Sequence, residues 1–260
     1  MKIAVTGKGG VGKTTITSTL SHLYAASGRK VLAVDADPDA NLAAAFGLPD
    51  SEIEKIHPIA DLPDLIAERT GAKPGSSGGV FRLNPRVDDI PEEVGYKLGN
   101  ITLIVTGKSR KAATGCYCPE NVLLRRLLRH LIVERDEVVI LDMEAGIEHL
   151  TRGTTEAMDA FIVVVEPGQR SIQTAHTVKR LAGELGIQDV MVVANKVRGE
   201  ADIEKIRQTI SDGMRLLGSL SYNEGIIQSD MDALPPFENN PLLISEITLI
   251  KENLEQHIKA

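Results

Sequence analysis

The stretch "KIAVTGKGGVGKTTITSTL", residues 2 to 20 of the 260-residue chain, constrains the fold more than any other part of the sequence. Its first residues form a short apolar run, and its last residues place apolar side chains at helical spacing. Between them, "GKGGVGKT" matches the pattern of Gly, four residues, Gly, Lys and Thr that forms a phosphate-binding loop. The sequence therefore predicts a strand, a phosphate-binding loop and a helix in this order.

The residue types of this loop suit a nucleotide. Glycines let backbone N–H groups curl around phosphate oxygens, and the N-terminus of the following helix favours negative charge. Lys13 can reach the β and γ phosphates, and the Thr14 hydroxyl can hold Mg²⁺. A glycine-rich turn with an accidental Lys-Thr pair is the alternative, and the flanking strand and helix argue against it. The candidate nucleotide-binding residues of the loop are Gly7, Lys8, Gly9, Gly10, Val11, Gly12, Lys13, Thr14 and Thr15.

Two carboxylates that follow apolar strands complete the predicted site. Asp142 ends the run "VVILD" and is the candidate Walker B residue, which would hold Mg²⁺ through water. Asp37 lies in "DADPDAN", where it could position the water that attacks the γ phosphate, with Asp35 and Asn41 as helpers. A turn carboxylate or a helix cap is the alternative for Asp37. Lys13 and Asp37 are thus candidate catalytic residues.

Apolar runs alternate with helical periodicities along the rest of the chain. The runs "KVLAVD", "NITLIVTG", "EVVILD", "AFIVVVEP" and "DVMVVANK" are typical of buried strands. This alternation predicts an α/β fold, a P-loop NTPase with a mostly parallel sheet of seven or eight strands and helices on both faces. Residues 1–260 are expected to form a single P-loop ATPase domain, in which residues 49–98 are an elaborated connection.

Charge and composition limit the partners. The chain has 36 acidic and 29 basic residues, a net charge of −7, no Trp and 3% aromatic residues. This balance argues against nucleic acid as a partner, because it offers neither a general basic surface nor a stacking platform. The C-terminal amphipathic stretch is poor in positive charge, which argues against a membrane-surface helix. No leader and no run of 18 apolar residues is seen, so a cytoplasmic location is expected.

The chain contains only two cysteines, Cys116 and Cys118, one residue apart in "TGCYCPE". Pro119 suits the first turn of a helix predicted from about residue 120 to 134, which places Cys118 near its N-cap. A helix N-terminus favours the thiolate, the form that binds metal. Two sulfurs leave a metal site incomplete, but a twofold dimer would bring four together, a set suited to Zn²⁺ or Ni²⁺. Packing as small apolar side chains and redox chemistry remain alternatives.

The stretch "KGGVGKTT" resembles the deviant Walker A motif of the dimeric ATPases of the MinD, ParA and nitrogenase iron protein class. In that class the lysine that corresponds to Lys8 reaches the partner's phosphates, so the resemblance implies an ATP-dependent homodimer and a catalytic role for Lys8. "DADPDAN" and "DMEAG" resemble switch I and switch II of the class. Asn195 and Lys196 resemble its base-recognition strand end, and Arg198 in place of a guanine-binding Asp favours ATP over GTP. A second wall of the base site is expected from Leu234, Pro235 and Pro236 in "LPPF".

The Cys-x-Cys pair and the stretch "AGIEHLTRGT", residues 145–154, are similar to CooC-type accessory ATPases. This resemblance implies an ATP-hydrolysing metallochaperone that uses Mg²⁺, binds Ni²⁺ or Zn²⁺ and serves a nickel enzyme, carbon monoxide dehydrogenase or acetyl-CoA synthase. It also implies that switch II, residues 142–146, senses the γ phosphate. A regulatory switch of the MinD or ParA kind and an iron-sulfur carrier are the alternatives. No role is assigned to His149 or Glu144 on spacing alone.

Overall fold

The computed structural model describes residues 1–74, 81–107, 118–145, 157–187, 189–210 and 213–259. The described residues form one sheet of eight strands with helices on both faces. The strands are β1 (Lys2–Gly7), β2 (Val31–Asp35), β3 (Tyr96–Leu98), β4 (Ile101–Val105), β5 (Val138–Asp142), β6 (Ala160–Val165), β7 (Val190–Val197) and β8 (Met214–Ser221).

The strands follow the order β3-β4-β2-β5-β1-β6-β7-β8 across the sheet. Every neighbouring pair is parallel except β3 and β4, which are antiparallel. The predicted α/β class with a mostly parallel sheet of seven or eight strands is therefore confirmed. β1 lies in the middle, between β5 and β6, so the loop that follows it opens at the centre of the sheet's carboxyl edge, where open α/β sheets bind ligands.

Helices cover the sheet on both faces. They are α1 (Lys13–Ala26), α2 (Leu42–Ala45), α3 (Asp50–Ile53), α4 (Pro63–Thr70), α5 (Ile90–Glu93), α6 (Pro119–Val133), α7 (Gln169–Glu184), α8 (Glu200–Thr209), α9 (Glu224–Met231) and α10 (Pro241–Lys259), with a 3₁₀ turn at Ile59–Asp61. Within the described residues, no helix is long and apolar enough to cross a membrane.

Alternate residues of each central strand pack into two separate cores. One core includes α4, α6, α7 and α8, and the other includes α1, α2 and α10. The sequence places Leu243, Ile247, Ile250, Leu254 and Ile258 on one face of α10. The first four are at most 1% exposed, and Ile258 is partly buried. At about 25 cal/mol per Å² of apolar surface, such buried side chains each contribute roughly 1.5–3 kcal/mol, so this helix is held firmly to the sheet.

The connection from residue 49 to residue 98 contains α3, α4, α5 and β3. Its buried apolar side chains, among them Ile59, Ile66 and Ile90, pack in the same core as the buried face of α6. This connection therefore adds to the core that lies on one face of the sheet.

Candidate nucleotide-binding site

The loop between β1 and α1 has a backbone that only glycine adopts readily. Gly10 and Gly12 have φ angles of 79° and 95°, in the left-handed region that side chains with a Cβ rarely enter. A Cβ on Gly12 would also lie 2.2 Å from the side-chain nitrogen of Asn195. The motif's last glycine is thus required both by its φ angle and by a neighbour from β7.

The end of β7 holds this loop in place. The Asn195 side-chain amide donates to the carbonyl of Val11 at 2.7 Å, and the Lys196 ammonium donates to the carbonyl of Gly10 at 2.6 Å. Lys196, itself at a φ of 58°, also pairs with the carboxylate of Glu166 at 3.2 Å. The two residues predicted to face the base therefore also bind the P-loop, a contact that the sequence pattern did not predict.

Lys13 and Asp37, the two candidate catalytic residues from separate motifs, meet in the structure. The Lys13 ammonium lies 3.5 Å from Asp37 Oδ2, and both side chains are largely buried. Asp35 has a different task, because its carboxylate accepts the backbone N–H groups of Leu42 at 2.9 Å and Asp37 at 3.2 Å. Asp35 thereby fixes the loop that carries Asp37. Asn41, the other predicted helper, donates its side-chain amide to the carbonyl of Asp39.

Asp142 is buried next to the P-loop at the end of β5. Both of its carboxylate oxygens are buried and have no hydrogen-bond partner among the described residues. Burial raises the pKa of Asp142 to about 7, against the opposing effects of the Thr14 hydroxyl and the Lys13 ammonium. Burial likewise raises the pKa of Asp35 to about 6. An unpaired buried carboxylate beside a threonine hydroxyl supplies the oxygen ligands that Mg²⁺ prefers, so the residues present fit the expected ion.

A cavity of about 540 Å³ opens beside the loop and is large enough for a nucleotide. Its lining includes the predicted residues Gly10, Gly12, Thr14, Thr15, Asn195, Lys196, Leu234 and Pro236. Pro235, also predicted there, packs instead against Gly47, where a Cβ would lie 2.6 Å from the proline ring. The "LPPF" segment thus both lines the cavity and contacts the chain just after α2.

One wall of the cavity was missed by the sequence reasoning. It is formed by Ser221, Tyr222, Asn223, Ile226, Ile227, Asp230 and Ala233, with Ala44 and Ala45 of α2. Asn41, predicted as a helper of Asp37, lines the cavity beside them. The segment "SYNEGIIQSD" carries no phosphate motif, so only its position after a predicted strand could have indicated it. The guanidinium of Arg198 lies 5.3 Å from the centre of the Tyr222 ring, over its face.

The remaining predicted residues are only partly covered by the structure. Lys8 is half-buried and its ammonium makes no ion pair with a described residue. Cys118 is the N-cap of α6, as expected, and is 5% exposed. Cys116, the end of switch II from Gly146 onwards and His149 lie outside the described residues. Within the described residues, no cluster of three metal-binding side chains occurs.

The fold and the site together define a P-loop nucleotide-binding protein, because a glycine loop, a buried lysine, two acidic strand ends and a cavity converge at one sheet edge. Residues 2–237 match the family model described as the CobQ/CobB/MinD/ParA nucleotide binding domain. The chain belongs to this family. It is an ATPase of the MinD/ParA class.

Two relatives are similar over nine-tenths of their length. An ATP-binding protein of Methanocaldococcus jannaschii is 52% identical over 237 residues, which cover 90% of each chain. The carbon monoxide dehydrogenase accessory protein CooC of Rhodospirillum rubrum is 46% identical over 241 residues, 93% of this chain and 91% of CooC. The resemblance to CooC-type ATPases is therefore confirmed.

Solved structures support the fold. The MinD cell division protein of Aquifex aeolicus superposes with a TM-score of 0.69 at 20% identity, covering 98% of this chain and 97% of that one. MinD of Pyrococcus horikoshii, solved with Mg-ADP, gives a TM-score of 0.66 at 22% identity, covering 96% and 95%. At such identities these matches establish the architecture alone.

Proposed function

We propose that this chain is a dimeric, ATP-hydrolysing metallochaperone of the cytoplasm that assists nickel insertion into carbon monoxide dehydrogenase or acetyl-CoA synthase. The observation that carries the proposal is the 46% identity to CooC over 93% of the chain. Nickel or zinc, bound by Cys116 and Cys118, is the cargo. ATP is the substrate that the nucleotide site hydrolyses, and Mg²⁺ is the cofactor of this hydrolysis.

The chain's own residues suggest how hydrolysis proceeds. The Lys13 ammonium is positioned to bind the β and γ phosphates, and it now pairs with Asp37. Phosphate oxygens compete for Lys13, which leaves the Asp37 carboxylate to orient the attacking water. Thr14 and Asp142 would hold Mg²⁺, which neutralises charge on the phosphate oxygens when bound. Asp35 keeps Asp37 in place through the backbone of the loop.

The base would lie in the cavity next to the P-loop. Asn195 and Lys196 form one side of it, and Leu234 and Pro236 form another. Pro235 supports that second side from behind through its contact with Gly47. In this arrangement the residues that hold the P-loop also contact the nucleotide, so base binding and phosphate binding reinforce each other.

Dimerisation is proposed from Lys8. Its ammonium is free of ion pairs with described residues, although it stands in a loop where the neighbouring Lys13 is buried and paired. A lysine that makes no ion pair with the part of its own chain that the structure describes would be available to phosphates held by a second chain. ATP would then stabilise the dimer, since each nucleotide contacts both chains.

The cargo site is proposed from the position of Cys118. The N-terminus of α6 concentrates unpaired backbone N–H groups, which favour a thiolate. Two chains related by a twofold axis would supply four thiolates from Cys116 and Cys118, whereas one chain supplies two. Metal binding would therefore depend on the dimer, and through the dimer on ATP.

The test is to measure metal stoichiometry and molar mass together. Zinc and nickel content and molar mass by light scattering are measured for an Asp37→Ala protein, which should bind ATP without hydrolysing it. The same measurements are made on this protein with Cys116→Ser and Cys118→Ser added. The first protein should form an ATP-dependent dimer with one metal ion, and the second should form the dimer without metal. A Lys13→Ala protein is the matched control and should lose both the ATP-dependent dimer and the bound metal.

Two results would contradict the proposal. Metal that stays bound in the cysteine variant would move the site elsewhere. Dimerisation with ATP but no cysteine-dependent metal would leave an ATPase whose role is a regulatory switch of the MinD or ParA kind.

A further inference from the structure

Half of the exposed large apolar side chains in the described part of the chain lie in one short segment. The described residues include eight exposed large apolar side chains. Four of these, Tyr222, Ile227, Met231 and Leu234, lie between positions 222 and 234. Met231 is the most exposed of all, at 75%. Single exposed apolar residues are ordinary, but a concentration of them marks an interaction site.

Helix α9 presents part of this segment as one face. Ile227 and Met231 are four residues apart and Glu224 lies three residues before Ile227, so the three share a side of the helix. Only Ser229 of this helix is buried. The helix therefore contributes little to either core: Ile226 packs partly against one of them and Ile227 lines the nucleotide cavity, whereas Met231 is 75% exposed and lies outside that lining.

The same region carries one sign of charge. No Lys, Arg or His occurs between Arg215 and Lys251, whereas five acidic residues do. One of them, Glu246, is bound by the backbone and hydroxyl of Ser221. The other four form no salt bridge with a described residue; they are Glu224, Asp230, Asp232 and Glu238.

We propose that this acidic apolar surface is a docking site for a protein partner that presents a basic amphipathic helix. The surface comprises the apolar residues Tyr222, Ile227, Met231 and Leu234 and the acidic residues Glu224, Asp230, Asp232 and Glu238. Apolar side chains flanked by carboxylates that form no salt bridge with a described residue complement an apolar helix face flanked by Lys and Arg. A surface of this sign repels anionic membranes and nucleic acid, which leaves protein as the matching class of partner.

The surface adjoins the nucleotide site. Tyr222, Ile227, Asp230 and Leu234 also line the cavity beside the P-loop, whereas Met231 lies outside that lining. A helix docked on Met231 would therefore approach the edge of a bound nucleotide. This inference goes beyond the proposed metallochaperone function, because it depends neither on a metal nor on the cysteines.

The test uses a synthetic amphipathic helix of Lys and Leu as the probe, with a Glu and Leu peptide of the same pattern as its control. Affinity is measured by fluorescence anisotropy with saturating nucleotide, and contacts are mapped by hydrogen exchange. The Lys peptide should protect residues 222–234 and bind more weakly as salt rises, because ion pairs at an exposed surface are screened. The Glu peptide should not bind.

Variants then locate the site. Met231→Ser, and separately Asp232→Lys with Glu238→Lys, should each weaken binding of the Lys peptide roughly tenfold, as expected when one anchor or two exposed charge pairs are lost. Neither set touches the cavity lining, so ATP hydrolysis should stay unchanged. Leu249→Ser and Glu252→Lys on α10 are matched controls and should bind as the wild type does.

Three results would overturn the proposal. Protection outside residues 222–234 would place the docking site elsewhere. Equal weakening by the substitutions at residues 231–238 and by those on α10 would reduce the effect to net charge. Protection of residues 222–234 that grows with protein concentration, without any peptide, would make the surface a contact between copies of this chain.

Discussion

At the scale of single residues, the carboxylates of the nucleotide site divide into two kinds. The Asp35 carboxylate accepts two backbone N–H groups and thereby fixes the conformation of the loop that follows it. Asp142 keeps both oxygens buried and unpaired among the described residues, which is costly unless a cation or a proton neutralises it. Their pKa values are both raised by burial, so each makes the folded chain sensitive to pH.

The contribution of Asp142 to the stability of the nucleotide-free protein should fall as the pH rises. Burial raises the pKa of Asp142 from 3.8 to about 7, so the folded chain binds its proton more tightly than the unfolded chain does. The contribution to stability is therefore complete below about pH 4 and is lost as the pH rises to 7, by up to about 4 kcal/mol. Asp142→Asn should flatten this part of the pH dependence in urea unfolding and should also abolish Mg²⁺-dependent ATP hydrolysis.

The exposed Asp136 offers a control for the pH experiment. Asp136→Asn should leave the slope of stability between pH 4 and pH 7 as it is in the wild type. An Asp142→Asn protein with an unchanged slope would show that Asp142 is ionised and paired in the folded chain.

At the scale of elements, the carboxyl end of β7 supports the P-loop. The Asn195 side chain donates to the carbonyl of Val11, 184 positions earlier in the chain, and the Lys196 side chain donates to the carbonyl of Gly10. These bonds fix the loop's peptide groups without help from any ligand. The P-loop is therefore shaped before phosphate arrives, which lowers the entropy cost of binding.

Gly12→Ala tests this support. The added Cβ would lie 2.2 Å from the Asn195 side-chain nitrogen and would occupy a left-handed backbone position, so ATP affinity should fall by at least tenfold, or about 1.4 kcal/mol. Adding Asn195→Ala to the Gly12→Ala protein removes the overlap but not the backbone strain. Calorimetry should show that the double variant regains part of the lost ATP affinity. Asn195→Ala alone should weaken binding less than Gly12→Ala does.

The matched control is Gly9→Ala, since a Cβ on Gly9 meets no atom within 4 Å. If both glycine variants lost the same affinity, the effect would come from backbone freedom in the loop as a whole. If Asn195→Ala gave Gly12→Ala no improvement, the contact between these two side chains would not limit binding.

The elements were the part of this structure that local sequence pattern could predict. The buried face of α10 and the start of α6 beside Cys118 follow from spacing and from Pro119. The contacts of Asn195 with the P-loop, and of Pro235 with Gly47, join residues far apart in the chain. No local periodicity encodes such contacts. The wall around Tyr222 was missed for the same reason, because its residues become a site only when β8 is placed beside β7.

At the scale of the whole molecule, the nucleotide site is assembled from the two ends of the chain. The cavity is lined by residues 10–45 and by residues 195–236. Bound ATP would therefore tie early and late parts of the sequence together. In the proposed dimer, Lys8 of a second chain would complete the phosphate site.

Lys8→Ala should separate nucleotide binding from dimerisation. Since the Lys8 ammonium makes no ion pair with a described residue, its loss should leave the stability and the ATP affinity of the monomer nearly unchanged. Light scattering in the presence of ATP should show a monomer, with the rate of hydrolysis reduced at least tenfold, about 1.4 kcal/mol in the barrier. Lys8→Arg is the control that keeps the charge, and a dimeric Lys8→Ala protein would contradict this role.

The central place of β1 has a consequence for how the protein is made. β1 is synthesised before β5 and β6, the two strands with which it pairs, and these end at residues 142 and 165. Until those residues have been synthesised, "KIAVTG" has no neighbouring strand, and the cavity stays open until residue 236 follows. At about 5–20 residues per second, this leaves the segment without a neighbouring strand for roughly ten seconds or more. During that time bound nucleotide cannot protect this segment, because the cavity lining is still incomplete.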